Sequence, residues 1–174
     1  MAAKTFDQFK PPPGWSGYGS MRSSSGGGVA VFVRDDLRGC VVEPVDPSVP
    51  DSVGSIVEER SIQLNIKDHP IIISSIYVPP GHSREDVRVN DQTFCHQRAG
   101  VPHLFAGDFN AHHDEWDSFA VNNRRGDLLY DWALHHHYAT ANNSEVPTRT
   151  NSRWRCLPTS PDVTFCRDCH VSNW

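Results

Sequence analysis

At 174 residues, the chain is most simply one domain, long enough to bury ~70% of the surface of its unfolded form. Hydrophobic content of 37% and charged content of 21% suit a globular protein, and no run approaches the ~18 apolar residues of a membrane span. The net charge of −5 argues against a passive nucleic-acid coat, yet leaves room for an enzyme acting on nucleic acid, whose metal-binding carboxylates are themselves negative.

The N-terminus MAAKTFDQFK lacks the apolar core of a signal peptide, so the chain reads as intracellular with no membrane partner. Residues 1–28 read as poorly structured, with Pro11-Pro12-Pro13-Gly14 extended and Ser23 to Gly28 a run of small residues. The expected organisation is a flexible segment over 1–25 followed by one domain over 26–174.

Val29 to Val33 predicts a strand and Cys40 to Val45 another, separated by the turn residues Arg34-Asp35-Asp36. Ser61 to Ile66 alternates as a half-buried strand does, and Asp68-His69-Pro70 predicts the turn after it. Ile71 to Val78 is nearly continuous and β-branched, which suits an interior strand. Four strands joined by short turns point to an antiparallel meander. Ser83 can cap a helix running to about Arg98, with Gly100 at its end.

Leu104-Phe105-Ala106 opens the next strand, which is expected to break at Gly107, where a Cβ would hinder the backbone. Beyond it come Asp108, Asn110, His112, His113, Asp114, Glu115 and Asp117 in quick succession. A second helix is predicted over Arg125 to His136, with Leu128, Leu129, Trp132 and Ala133 on one face. Tyr138 to Ala141 predicts a short strand, Arg149 to Arg155 a basic loop and Val163 to Cys166 a last strand. The order is that of an α+β protein, a sheet-on-sheet sandwich with helices outside.

Five irregularly spaced cysteines imply no disulfide framework. Cys166, Cys169 and His170 spell C-x-x-C-H, but no export signal supports haem attachment and no second ligand pair supports zinc.

Asp108 and Asn110 stand two apart after an apolar strand and would project into one cleft. A carboxylate there can ligate a hard cation or orient water, and an amide can hold a phosphate oxygen. Tyr77 comes near the end of its strand, where a core tyrosine with its hydroxyl at the rim is the plainer reading. Thr148 sits in a loop, and Asp162 follows Ser160-Pro161 as a turn-capping Asp would.

In their order along the chain, GGGVAVFVR (26–34), SIYVPPG (75–81), LFAGDFNAHHDEW (104–116), NNRRGDLLYDW (122–132), VPTRT (146–150) and SPDVTF (160–165) resemble the endonuclease/exonuclease/phosphatase superfamily. Within it they resemble the endonuclease domain of non-LTR retrotransposons, similar to apurinic/apyrimidinic endonucleases. The resemblance implies a four-layered α/β sandwich of the DNase I-like type, with two packed, mostly antiparallel sheets flanked by helices. It implies hydrolysis of a DNA phosphodiester with Mg²⁺ or Mn²⁺, a reverse transcriptase domain of the same polyprotein as partner, and a nuclear location.

On the matching positions, Asp108 would orient or activate the attacking water and hold the metal, and Asn110 would bind the scissile phosphate. Tyr77 would help position it, Thr148 would line the DNA site, and Asp162 would orient a histidine that stabilises the phosphorane. Arg149, Arg153 and Arg155 would contact the DNA backbone, and with Trp154 they also support a rival reading, a non-catalytic nucleic-acid-binding remnant. A phosphatase of the same superfamily is the other rival.

Two departures bear on activity. The family's metal-binding Glu lies upstream of the GGGVAVFV strand, and no Glu precedes that strand here. The family's closing Ser-Asp-His follows one strand after SPDVTF, where this sequence ends. Glu58 and Glu59 come too late to replace the Glu, and His112, His113 and His135 to His137 are expected to be solvated rather than substitutes. On this reading the chain is truncated at both ends, poorly stable, and weakly active or inactive.

Overall fold

Alternating and continuous apolar runs are what a strand with one or two covered faces requires, and the longest such runs here lie side by side. The computed structural model describes residues 10–21, 28–37, 39–41, 57–80, 100–150 and 158–171. In chain order these form β1 (Trp15–Met21), β2 (Gly28–Arg34), β3 (Gly39–Val41), β4 (Glu58–Ile66), β5 (His69–Tyr77), β6 (His103–Asp108), α1 (Arg124–His135), β7 (Ala139–Thr140) and β8 (Asp162–Arg167).

β1 and β2 make an antiparallel two-stranded sheet, and the other six strands form a second sheet in the order β3-β4-β5-β6-β8-β7. All pairings are antiparallel except β5 with β6, which is parallel. The β-branched run Ile71 to Tyr77 is therefore an interior strand, as its composition predicts. The expected four-strand meander is only partly right, since β2 belongs to the other sheet and β3-β4-β5 is the meander. The segment expected to be flexible contains β1, because every residue from Trp15 to Met21 pairs with one of β2.

The turn between β4 and β5 lies at Lys67-Asp68 rather than 68–70. Both residues have positive φ, 50° and 66°, the left-handed pair that a two-residue hairpin loop needs to match strand twist. The expected strand over 40–45 is seen as Gly39–Val41, and residues 42–45, the expected helix over 83–98, and Arg153, Trp154 and Arg155 lie outside the described residues.

Each face of the large sheet is covered. On one, Val33 of β2 packs on Ile62 and Leu64, joined by Tyr18, Val31, Ile71 and Ile73. On the other, Leu129, Trp132 and Ala133 of α1 pack with Ile76, Phe105, Phe109, Trp116, Tyr138, Val163 and Phe165. The described residues thus supply sheet, sheet and helix layers of the expected sandwich.

Under α1 a buried polar chain crosses three strands. The Tyr138 hydroxyl meets His103 Nδ1 at 2.6 Å and His103 Nε2 meets Ser74 Oγ at 2.8 Å. Ser74 then bonds Ser61, whose hydroxyl donates to Glu59 Oε1 at 2.7 Å. The carboxylate can only accept, so every hydrogen in the chain points toward it. Burial pushes the Tyr138 phenol up to about 12, consistent with a hydroxyl that remains a donor.

Candidate active site

Register brings the predicted residues together. Tyr77 on β5 is paired with Asp108 on β6, and Asp108 with Asp162 on β8. Paired residues on neighbouring strands point to the same face, here the face that also carries Ile62 and Ile73, turned toward β1 and β2. Three of the sequence-predicted residues thus form one row across one end of the sheet. Glu58, paired with Tyr77, extends the row by one strand, a neighbourhood its position in sequence does not reveal.

The glycine before Asp108 has a different reason from the expected one. Gly107 remains in the strand without a left-handed φ. A Cβ there would stand 1.9 Å from the Ile76 carbonyl oxygen, so glycine is required by the close approach of β5. Nor does the chain stay extended to Asn110. Asp108 Oδ1 accepts from the Asn110 N–H at 2.9 Å, an Asx-type turn. Asn110 takes a φ of 47°, which asparagine tolerates better than most residues. Its side-chain amide donates to the Val78 carbonyl at 2.9 Å, tying the end of β5 to the loop after β6.

Arg125, which sequence reasoning did not single out, holds the same region from behind. It is 6% exposed, and its Nη1 donates to the carbonyls of Pro79 at 3.0 Å and Phe109 at 3.1 Å, with Asn110 O at 3.5 Å. The available signal was its spacing: Arg125 precedes Leu129 and Trp132 by four and seven residues, on the buried stripe of the helix. An arginine in that stripe calls for buried acceptors.

The helix start is fitted to the same loop. Asn123 caps α1 by accepting from Gly126 N at 2.7 Å, and its N–H donates to His112 O at 3.0 Å. A Cβ on Gly126 would lie 1.9 Å from that His112 oxygen.

On the other side, Asp162 Oδ2 accepts from the Thr148 hydroxyl at 2.9 Å. Among the described residues, the side chain that meets this carboxylate is Thr148. Arg149 and Thr159 exchange two backbone bonds, 2.9 and 3.0 Å, which fix the loop bearing Thr148 beside the start of β8. Burial raises the Asp108 carboxyl above the usual carboxylate range, and the negative Asp162 adds to this. The Asn110 N–H, Arg149 and Arg125 pull the other way. Both guanidinium groups therefore act electrostatically on this carboxylate.

The histidines are not simply solvated. His112 Nδ1 bonds the fully buried Asp117 at 2.8 Å, and His113 stacks on Tyr130 at 4.3 Å between ring centroids. His136 packs against Trp132, while His135 and His137 are exposed. The reason is that the loop over 111–117 folds back onto α1 and carries Trp116 into the core.

Among the described residues no three His, Cys, Asp or Glu side chains converge on one point where a metal could sit. The donor set still suits Mg²⁺, which commonly takes one or two carboxylates and fills its shell with water and phosphate oxygens. Asp108 and Asp162 offer hard oxygens, and the burial of Asp108 and the repulsion that Asp162 exerts on it are what a cation would relieve.

A family model described as endonuclease-reverse transcriptase matches residues 71–173, more than half of the chain. Among solved structures, the endonuclease domain of TRAS1, a telomere-specific non-LTR retrotransposon, is similar over 89% of this chain and 68% of its own, with TM-score 0.61 and 21% identity. A mannosyl-6-phosphatase from Bacteroides thetaiotaomicron is similar over 90% of this chain and 64% of its own, with TM-score 0.50 and 14% identity. At these identities the likeness is one of fold, the DNase I-like sandwich, and this chain spans about two thirds of each. No curated protein matches the sequence.

Proposed function

This chain belongs to the endonuclease-reverse transcriptase family, and from that premise we propose that it is a metal-dependent DNA endonuclease. Its task is to nick target DNA so that a reverse transcriptase of the same polyprotein can prime from the cut, which puts its action in the nucleus. The observation that carries the reading is the row of Tyr77, Asp108 and Asp162 at one sheet end, with Asn110 folded back beside Asp108.

Asp108 is raised by burial, so its carboxylate is a better base than an exposed Asp and suits orienting an attacking water. Asp108 would hold the cation, with Asp162 as its neighbour. When bound, a divalent cation supplies charge neutralisation at the phosphate and acidifies water. Asn110 donates one amide hydrogen to Val78 O, which fixes the plane of the amide and aims its second hydrogen at a phosphate oxygen. Tyr77 lies beside Asp108 and positions that phosphate. Thr148 holds Asp162 in place, and Arg149, fixed by its bridge to Thr159, contacts the DNA backbone as Arg153 and Arg155 do.

Nicking of supercoiled plasmid with Mg²⁺ tests this. Weak conversion of supercoiled DNA to the open circle is expected of the wild type, and Asp108→Ala is expected to lose it without losing DNA binding. Release of inorganic phosphate from a phosphomonoester, with plasmid left intact, would instead establish the phosphatase reading.

A further inference from the structure

Asp117 is fully buried, and its carboxylate is shared between the segment that follows β6 and the segment that precedes β8. Oδ2 accepts from the Ser160 N–H at 2.9 Å and from His112 Nδ1 at 2.8 Å, while Oδ1 accepts from the Phe119 N–H at 3.2 Å. His112 lies two residues beyond Asn110, and Ser160 lies two residues before Asp162. The Ser160 hydroxyl in turn accepts from the Thr148 N–H at 3.3 Å, and Thr148 holds Asp162 through its own hydroxyl. A buried carboxylate is costly to desolvate, and such groups persist where several donors share the charge. Here the donors are the two arms of the site.

Resting on the endonuclease reading above, we infer that Asp117 is a positioning residue: through His112 and Ser160 it sets how Asn110 and Asp162 face one another across Asp108. Phe109 N donates to Pro161 O at 3.0 Å, so the two arms also touch at the strand ends. That contact fixes their separation at one point, and a second point of attachment is needed to fix their angle. Asp117 supplies it. His112 completes the link because Asn123 grips both its N–H and its carbonyl, at 3.3 and 3.0 Å, leaving the ring to reach the carboxylate.

The test compares nicking turnover with DNA affinity measured in Ca²⁺, in the full chain. Asp117→Asn keeps shape but loses one acceptor oxygen, and is expected to lower turnover roughly 100-fold, the scale of a misplacement near 1 Å, while affinity for a short duplex changes less than about threefold. His112→Leu should lose turnover comparably, and His112→Asn, whose amide nitrogen overlays the imidazole Nδ1, should recover most of it. A purely structural role would instead lower turnover and affinity together, in step with loss of folded protein. Asp117→Asn that nicks within threefold of an active wild type overturns the inference; if Asp117→Asn does not fold, equal turnover in the two His112 variants overturns it. A folded wild type that does not nick overturns the endonuclease reading itself, and the inference with it.

Discussion

Replacing Arg125 by alanine tests the largest claim made for a residue outside the site row. Two of its hydrogen bonds, to Pro79 O at 3.0 Å and Phe109 O at 3.1 Å, have good length, and the third, to Asn110 O at 3.5 Å, is marginal. A hydrogen bond from a charged donor contributes about 1.5–3 kcal/mol. Two of them, one buried and one part-buried, give a loss of about 4 kcal/mol. Against a total stability of about 5–15 kcal/mol this is severe. At about 2–4 °C per kcal/mol for a chain of this size, Tm should fall by roughly 8–16 °C. The assay is thermal unfolding followed by circular dichroism, with urea unfolding as a check on the slope. Arg125→Lys keeps the charge, but its shorter side chain does not carry an ammonium to the place that Nη1 occupies between the two segments. It should recover less than half of the loss. A Tm within 3 °C of wild type for the alanine variant, or a lysine variant as stable as wild type, would refute the reasoning.

Gly107→Ala would place a methyl 1.9 Å from the Ile76 carbonyl, in backbone that cannot move without breaking the β5–β6 register; a loss of at least about 3 kcal/mol is expected in urea unfolding. Asp108→Asn should stabilise the metal-free protein at neutral pH. Because burial raises this carboxyl, the folded state disfavours the charged form, a penalty absent below the ordinary Asp value of about 3.9 and present above the raised one. The gain in Tm should therefore vanish in acid, and a gain independent of pH would contradict the assignment. Lys67→Asn with Asp68→Gly fits the two left-handed positions of the β4–β5 turn, and should relieve about 1 kcal/mol or more, read as a higher Tm.

Much of the scaffold was legible because its signals are local. The β-branched run 71–77, the strand before Asp108 and the helix from Arg124 each declare themselves within a short window. β1 was missed because WSGYGSM has no apolar alternation of its own and is a strand only by pairing with β2. The sheet assignment of β2 was missed for a related reason: nothing within VAVFV says which neighbour it will choose. At the site, Asp108 and Asn110 announce themselves by following an apolar strand. Asp117 and His112 looked like two more polar groups in a surface loop, because their burial depends on Ser160, far along the chain. Glu58 acquires its place beside Tyr77 only through register.

The parallel joining of β5 to β6 sets the order in which this protein can assemble. Hairpins such as β4–β5 close within a few residues and need little chain entropy, whereas β6 docks on β5 and β8 on β6 only by closing much longer loops, the second of which holds α1. Asp108 therefore meets Tyr77 and Asp162 at the last long-range closures of the sheet. Refolding should recover far-UV ellipticity before it brings Asp108 beside Tyr77 and Asp162, so the proposed nicking activity is expected to return last.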